Sequence, residues 1–161
     1  MNQQSVFQQF GHITVFFSTL DFFVTLFIIE IVSVEYKASK QPLNDYTTLG
    51  KKLRLIQNLS ETDVIAPEVL VTVKQELDEA ISVANERNRF MHDQWVFDPT
   101  TLEKGIINRM AFVDLKNWKT NSSGKIPYSE ADLQSLQDRI ASLQELFVDA
   151  LNKVKSISLQ S

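Results

Sequence analysis

Cysteine is absent from this chain of 161 residues, which excludes disulfide frameworks, thiolate metal sites and cysteine nucleophiles. A cysteine-free chain suits a reducing compartment, and a cytoplasmic location is the expectation. Glycine and proline are scarce, four of each, so a few long elements are expected in place of many short strands. Histidine occurs only twice, as His12 and His92. Neither stands in an H-E-x-x-H run or follows a Glu by three residues, so zinc-hydrolase and di-iron-bundle chemistry are not expected. The chain also has no Gly-rich phosphate loop and no G-x-S-x-G. No cofactor or metal is called for. Positive charge is limited as well: 16 Lys and Arg stand against 20 Asp and Glu, a net charge of -4. That excludes coating nucleic acid by bulk electrostatics, so any RNA contact would be local.

What is present is an ordinary globular composition, 43% hydrophobic and 22% charged, at a length that suits one domain with a real core. Residues 1–40 read as one long helix, about 5–38, opened by a capping-box pattern in Ser5 and Gln8. It is apolar on most faces and holds seven of the eleven Phe, which marks it for burial in a bundle, a dimer interface or a bilayer. A bilayer is disfavoured by Asp21 at the centre of the apolar run, where a carboxylate costs about 2.5–3.5 kcal/mol. No Lys or Arg precedes Lys37 to supply a basic flank. Thr14, Ser18, Asp21 and Thr25 form a narrow polar stripe on this helix. Either it is a solvent-facing edge or Asp21 is buried against a cation, with Arg87 the first candidate and Arg109 the second.

A loop at 41–46 precedes a short helix from Thr47 or Thr48 to Leu59, whose Lys51, Lys52 and Arg54 read as a solvated face. A third, long helix is predicted over about 67–97, with Pro67 in its first turn. Its inner stripe runs Leu70, Val73, Leu77, Ala80 and Ala84, then Arg87, Met91 and Trp95. Over 100–127 the helical period disappears; Ile107–Leu115 is the most strand-like part, half of a small hairpin. This stretch is basic, and Lys104, Arg109 and Lys116 are candidate RNA contacts beside a plain reading as surface lysines. A last helix spans about 129–156, with Ser129 as N-cap and Asp132 in the first turn. Its seam is Leu133, Leu136, Ile140, Leu143, Phe147, Ala150 and Val154. The expected fold is all-α: an up-and-down bundle of three long helices and one short, with a small non-helical or β-hairpin excursion at about 100–127.

Arg87 breaks the apolar pattern of its helix. A guanidinium on an inner stripe is expensive unless paired, and such breaks occur at functional sites. Arg87, Asn88, three residues and then His92 resemble the R-(polar)-xxx-H signature of HEPN domains (higher eukaryotes and prokaryotes nucleotide-binding). The resemblance implies a single helical domain over residues 1–161 and metal-independent endoribonuclease activity. It implies His92 as acid/base, Arg87 as phosphate clamp and Asn88 in support; Asp21 joins them as a supporting residue if it is buried against Arg87. It further implies a homodimer with paired motifs in one cleft, and a toxin or phage-defence role with an antitoxin or other regulatory partner. The geometry alone is less favourable, since five residues separate Arg87 and His92 by ~140° and ~7.5 Å on a straight helix. A bend or a two-fold partner would join them. The alternative is a non-catalytic helical module in which Arg87, Asn88 and Asp21 specify a dimer or partner interface.

Overall fold

The computed structural model describes residues 2–35, 47–62, 65–110 and 125–158. Along the chain these form α1 (Gln3–Glu35), α2 (Leu49–Leu59), α3 (Pro67–Lys74), α4 (Leu77–His92), β1 (Gln94–Val96), α5 (Pro99–Glu103), β2 (Ile106–Met110), β3 (Lys125–Ser129) and α6 (Glu130–Ser158). The protein is mostly helical, with a small antiparallel sheet in the order β1-β2-β3.

The principal packing is α1 against α6. Gln137 donates to Gln9 near one end, and Phe27 meets Phe147 edge-to-face further along, so the two helices run in the same sense. α4 runs opposite to α1, because Phe90 lies on Phe10 while Arg87 lies on Phe17. Every position of the expected α6 seam, from Leu133 to Val154, is buried. α1 buries Val6, Ile13, Leu20, Val24 and Phe27 completely. Its opposite side exposes Val15, Phe22 and Ile29 at intervals of seven residues, an apolar ridge along the helix. By length and composition, Gln3–Ile31 would also suffice to cross a membrane, with 33% of its most apolar window buried.

Three boundaries differ from the expectations. Asn2, not Ser5, caps α1: its side-chain oxygen accepts from the Ser5 amide at 2.8 Å. The single helix expected over 67–97 is divided. It breaks at Glu76 (φ -106°, ψ 1°), and each half is tied to α6 at its own point. Thr72 of α3 is held by Lys153 of α6, whereas Arg139 of α6 holds α4 through Glu79 and Glu86. The expected stripe positions Val73, Leu77, Ala80 and Ala84 are buried on both sides of the break, with Val83 beside them; only towards the end of α4 does Phe90 take the inner place, and Met91 is exposed. The expected helical end is a strand instead. The indole N–H of Trp95 donates to the Phe90 carbonyl at 2.9 Å, which a continued helix would have used for the amide of residue 94. Gln94–Val96 then pairs with Met110–Asn108.

The non-helical excursion is accordingly larger than expected and begins before residue 100. β2 is the strand foreseen near Ile107, and β3 pairs with it over 125–129. α5 was not foreseen; Asp98 caps it by accepting from the Thr100 amide at 2.9 Å. Gly105 turns the chain from α5 into β2 at φ 72°, a conformation that favours glycine. Residues 36–46 and 111–124, including Lys116, lie outside the described residues.

The start of α6 is a reciprocal cap. Asp132 Oδ2 accepts from the Ser129 amide and hydroxyl, both at 2.7 Å, and the Asp132 amide donates back at 3.2 Å. The Ser129 bonds hold the Asp132 carboxyl below its ordinary value. A depressed folded pKa contributes stability above the unfolded value, about 3.9, which is lost as pH falls through the folded one. Ser129→Ala should raise the Asp132 midpoint towards that ordinary value in an NMR titration and destabilise the protein by about 1 kcal/mol at neutral pH. An unchanged midpoint would show that the cap does not hold in solution.

Candidate functional site

The last two turns of α4 carry the motif, and α4 runs unbroken through His92. An aromatic cluster fixes their position. Phe90 is 4.5 Å from Phe10 of α1 and 4.8 Å from Trp95, and Trp95 reaches Tyr128 of β3 at 5.5 Å. Asp93 caps the helix and faces Arg109 of β2, whose Nε lies 3.2 Å from Asp93 Oδ2 with both side chains buried. The Arg109 guanidinium also lies over the Tyr128 ring. Arg109, a candidate RNA contact, is thus buried, 3% exposed. Its place opposite Trp95 in the sheet puts it inside, where it anchors the chain next to His92. Lys104 is exposed beyond α5.

The same arrangement leaves a cleft of about 290 Å³ among α1, the start of α2 and the end of α4. Phe17, Ser18 and Asp21 line one wall, Thr47 to Gly50 a second, and Arg87, Asn88 and His92 a third. Arg87 and His92 thus border one cavity without any bend in α4, because the cleft wraps round the helix end. Arg87 does not pair with Asp21. Its guanidinium carbon lies 4.7 Å from the centre of the Phe17 ring, a cation–π position. Nη1 reaches Asn88 Oδ1 at 3.4 Å, while Nε is shielded from solvent and meets no acceptor. An orphaned donor on a cation is costly in a folded protein.

Asp21 has a different partner. Lys52 Nζ donates to both carboxylate oxygens, at 2.9 and 2.8 Å, and to Thr25 Oγ1 at 2.8 Å. The lysine side chain is 12% exposed and the aspartate 36%. Reading Lys52 as solvated was wrong. α2 lies with its N-terminal turn against the polar stripe of α1, which turns Lys52 inward and satisfies all three of its donors. Thr48 caps α2 by accepting from the Lys51 amide at 3.4 Å. The pair pins α2 to α1 and so sets one wall of the cleft. Neither Lys52 nor this wall was visible in the periodicity; the start of the helix at Thr48 was the available signal.

A larger hollow of about 760 Å³ lies between the start of α4 and α6. Its charged residues include Glu76, Glu79, Asp138 and Arg139. Arg139 clips Glu79 at 2.6 Å and Glu86 at 2.7 Å, and the Glu79 bond pushes its guanidinium above the ordinary value. This hollow contains no histidine, the side chain whose ordinary pKa lies nearest neutrality. Among the described residues, no three His, Cys, Asp or Glu side chains are grouped to hold a metal ion. Comparison with protein-family profiles, curated proteins and solved structures gives no match.

The cleft can therefore present a guanidinium, an amide and an imidazole to an anionic ligand. Its integrity depends on Lys52, which gives a direct test. Lys52→Met should destabilise the protein by about 1–3 kcal/mol, because Asp21 loses its partner while still half-buried. Combined with Asp21→Asn, the loss should be less than additive in a double-mutant cycle followed by urea denaturation. Additive losses would show that the pair carries no coupling.

Proposed function

We propose that the protein is a HEPN-like, metal-independent endoribonuclease whose site is the cleft at the end of α4. The observation that carries this is the convergence of Arg87, Asn88 and His92 on one cavity, with Arg87 Nε lacking an acceptor. In the proposed reaction the RNA 2′-oxygen attacks the adjacent phosphorus and gives up its proton to an imidazole base. The bond from phosphorus to the 5′-oxygen then breaks as that oxygen takes a proton from an imidazolium acid, leaving a 2′,3′-cyclic phosphate and a 5′-hydroxyl. Histidine fits both proton-transfer roles near neutral pH. Arg87 supplies permanent charge for the pentacoordinate phosphorane, and Asn88 orients the phosphate. Asp21 acts at one remove, by holding Lys52.

One cleft contributes one histidine, whereas base and acid together call for two. A two-fold homodimer supplies the second by bringing two copies of the cleft together. The exposed ridge of Val15, Phe22 and Ile29 on α1 supports such an interface, since contiguous exposed apolar surface marks association sites. The proposal includes a cytoplasmic location, a toxin or phage-defence role and a neutralising or regulatory partner. The same ridge also favours a second reading, a non-catalytic dimerisation module in which Arg87 and Asn88 serve an interface.

Incubation of mixed RNA with the protein in EDTA separates the two. Wild type should cleave, and His92→Ala and Arg87→Ala should each lower the rate by at least about 100-fold. Cleavage that survives both changes, or none by the wild type, would put the binding module in front. Light scattering should report twice the mass of the chain, and Phe22→Glu should halve it. A wild-type monomer would remove the shared cleft.

A further inference from the structure

The exposed side of α4 leads from the cleft to a second hollow. Asn85, Asn88, Arg89 and His92 are all exposed, and their spacing of three, one and three residues sets them in one stripe of an unbroken helix. Asn88 and His92 border the cleft. Asn85 and Arg89 border a hollow of about 330 Å³, lined also by Ser82, Glu86, Arg109 and Tyr128. Neither the resemblance nor the proposed reaction gives this hollow a role.

Its charges favour an anion. Glu86, the one carboxylate in the lining, is already engaged: Arg139 donates to it at 2.7 Å and the Tyr128 hydroxyl at 3.4 Å. Arg89 forms no ion pair among the described residues, so its guanidinium is open to a ligand. Arg109 stands behind the wall, 3% exposed, with Asp93 3.2 Å from Nε and the Tyr128 ring against its plane. Its Nε and Nη1 are shielded from solvent, so Arg109 acts through its charge, which buried surroundings screen less than water does. The contacts themselves fall to Arg89 and to the neutral amide of Asn85.

We propose that this hollow is a second phosphate subsite, in which Arg89 and Asn85 hold the phosphate next to the one at Arg87 and His92. A single strand of RNA then lies along the exposed stripe of α4. A guanidinium offers planar, multi-donor recognition of phosphate oxygens. Arg89 and His92 share one side of the helix with ~4.5 Å of rise between them, a separation that a flexible strand spans. Holding two adjacent phosphates also fits a chain of net charge -4, where contact with RNA has to be local. The proposal rests on the ribonuclease reading for the identity of the strand.

Substrate length provides the test. A dinucleotide carries only the phosphate to be cleaved, whereas a trinucleotide carries a neighbour as well. In EDTA, wild type should cleave the trinucleotide with a kcat/KM about tenfold or more above that of the dinucleotide. Arg89→Gln should bring that ratio close to one, and Asn85→Asp, which sets a carboxylate in the hollow, should do the same. Both positions are exposed, so the melting temperature should hold. Lys155→Gln, at an exposed position of α6, should keep the wild-type ratio. Binding of a labelled oligouridylate, followed by fluorescence anisotropy over a range of salt, gives a readout that needs no cleavage. There Arg89→Gln should reduce the slope of log affinity against log salt by about 0.7. If wild type cleaves both substrates equally well, or Arg89→Gln keeps the preference, the subsite is overturned and the ribonuclease reading stands. If wild type cleaves neither but Arg89→Gln lowers the salt slope, the phosphate site is upheld and the ribonuclease reading falls. No cleavage together with an unchanged slope overturns both.

Discussion

Burial of one face of α1 is the constraint on which the other elements depend. α6 lies along that face with its whole apolar seam, and Phe27 and Phe147 interlock between them. The N-terminal part of α1 receives the end of α4 and the sheet through Phe10, Phe90 and Trp95. Its middle receives α2 through Asp21 and Lys52. Because α1 is a rigid rod along its described length, it sets the spacing between elements distant in sequence. Removing large buried aromatic contacts of this kind costs about 3–5 kcal/mol each, a large share of a typical domain's stability.

The cleft follows from that packing. On α1 the face towards α6 is apolar apart from Gln9, which accepts from Gln137, but the adjacent stripe of Thr14, Ser18, Asp21 and Thr25 is polar and cannot be buried against hydrocarbon. Thr14, Ser18 and Thr25 satisfy their hydroxyls on the carbonyls one turn back, of Phe10, Thr14 and Asp21 respectively. Asp21 needs a cation, and Lys52 provides it. α2 and α4 therefore meet α1 on either side of this stripe and leave a polar gap between them. Arg87 lies at its edge, with Phe17 against its plane and its shielded Nε without an acceptor.

Two buried or half-buried ion pairs flank the gap, Lys52–Asp21 and Arg109–Asp93. Pairs of this kind add little net stability over apolar replacements, but they hold one arrangement because breaking them strands a charge. Arg109–Asp93 acts on the residue after His92, and Lys52–Asp21 acts on the first turn of α2. Both therefore fix the rims of the cleft, where small displacements would alter ligand geometry most. The apolar ridge of α1 borders the polar stripe, so a partner seated on the ridge would also approach the cleft.

The individual helices could be read from periodicity. The seam from Leu133 to Val154, the cap at Ser129 and the start of α2 at Thr48 are local patterns, and each governs its own element. Arg87 was also legible, as a residue type that does not belong on an apolar stripe, and Asn88 and His92 were singled out by their spacing from it. Long-range choices were not. Whether Asp21 would pair with Arg87 or Lys52 depends on how α2 docks, which no spacing within α1 encodes. Arg109 looked like surface charge because strand pairing alone places it opposite Trp95 and against Asp93. The end of α4 had helical spacing up to Trp95, yet the tryptophan's bond to Phe90 and its pairing with β2 outweighed that local preference. The chain by itself determined where the long helical segments run and that Arg87 is chemically out of place on its stripe. Only the tertiary structure decided their partners, because a charge or a hydrogen-bond donor is satisfied by whatever group packing brings within reach.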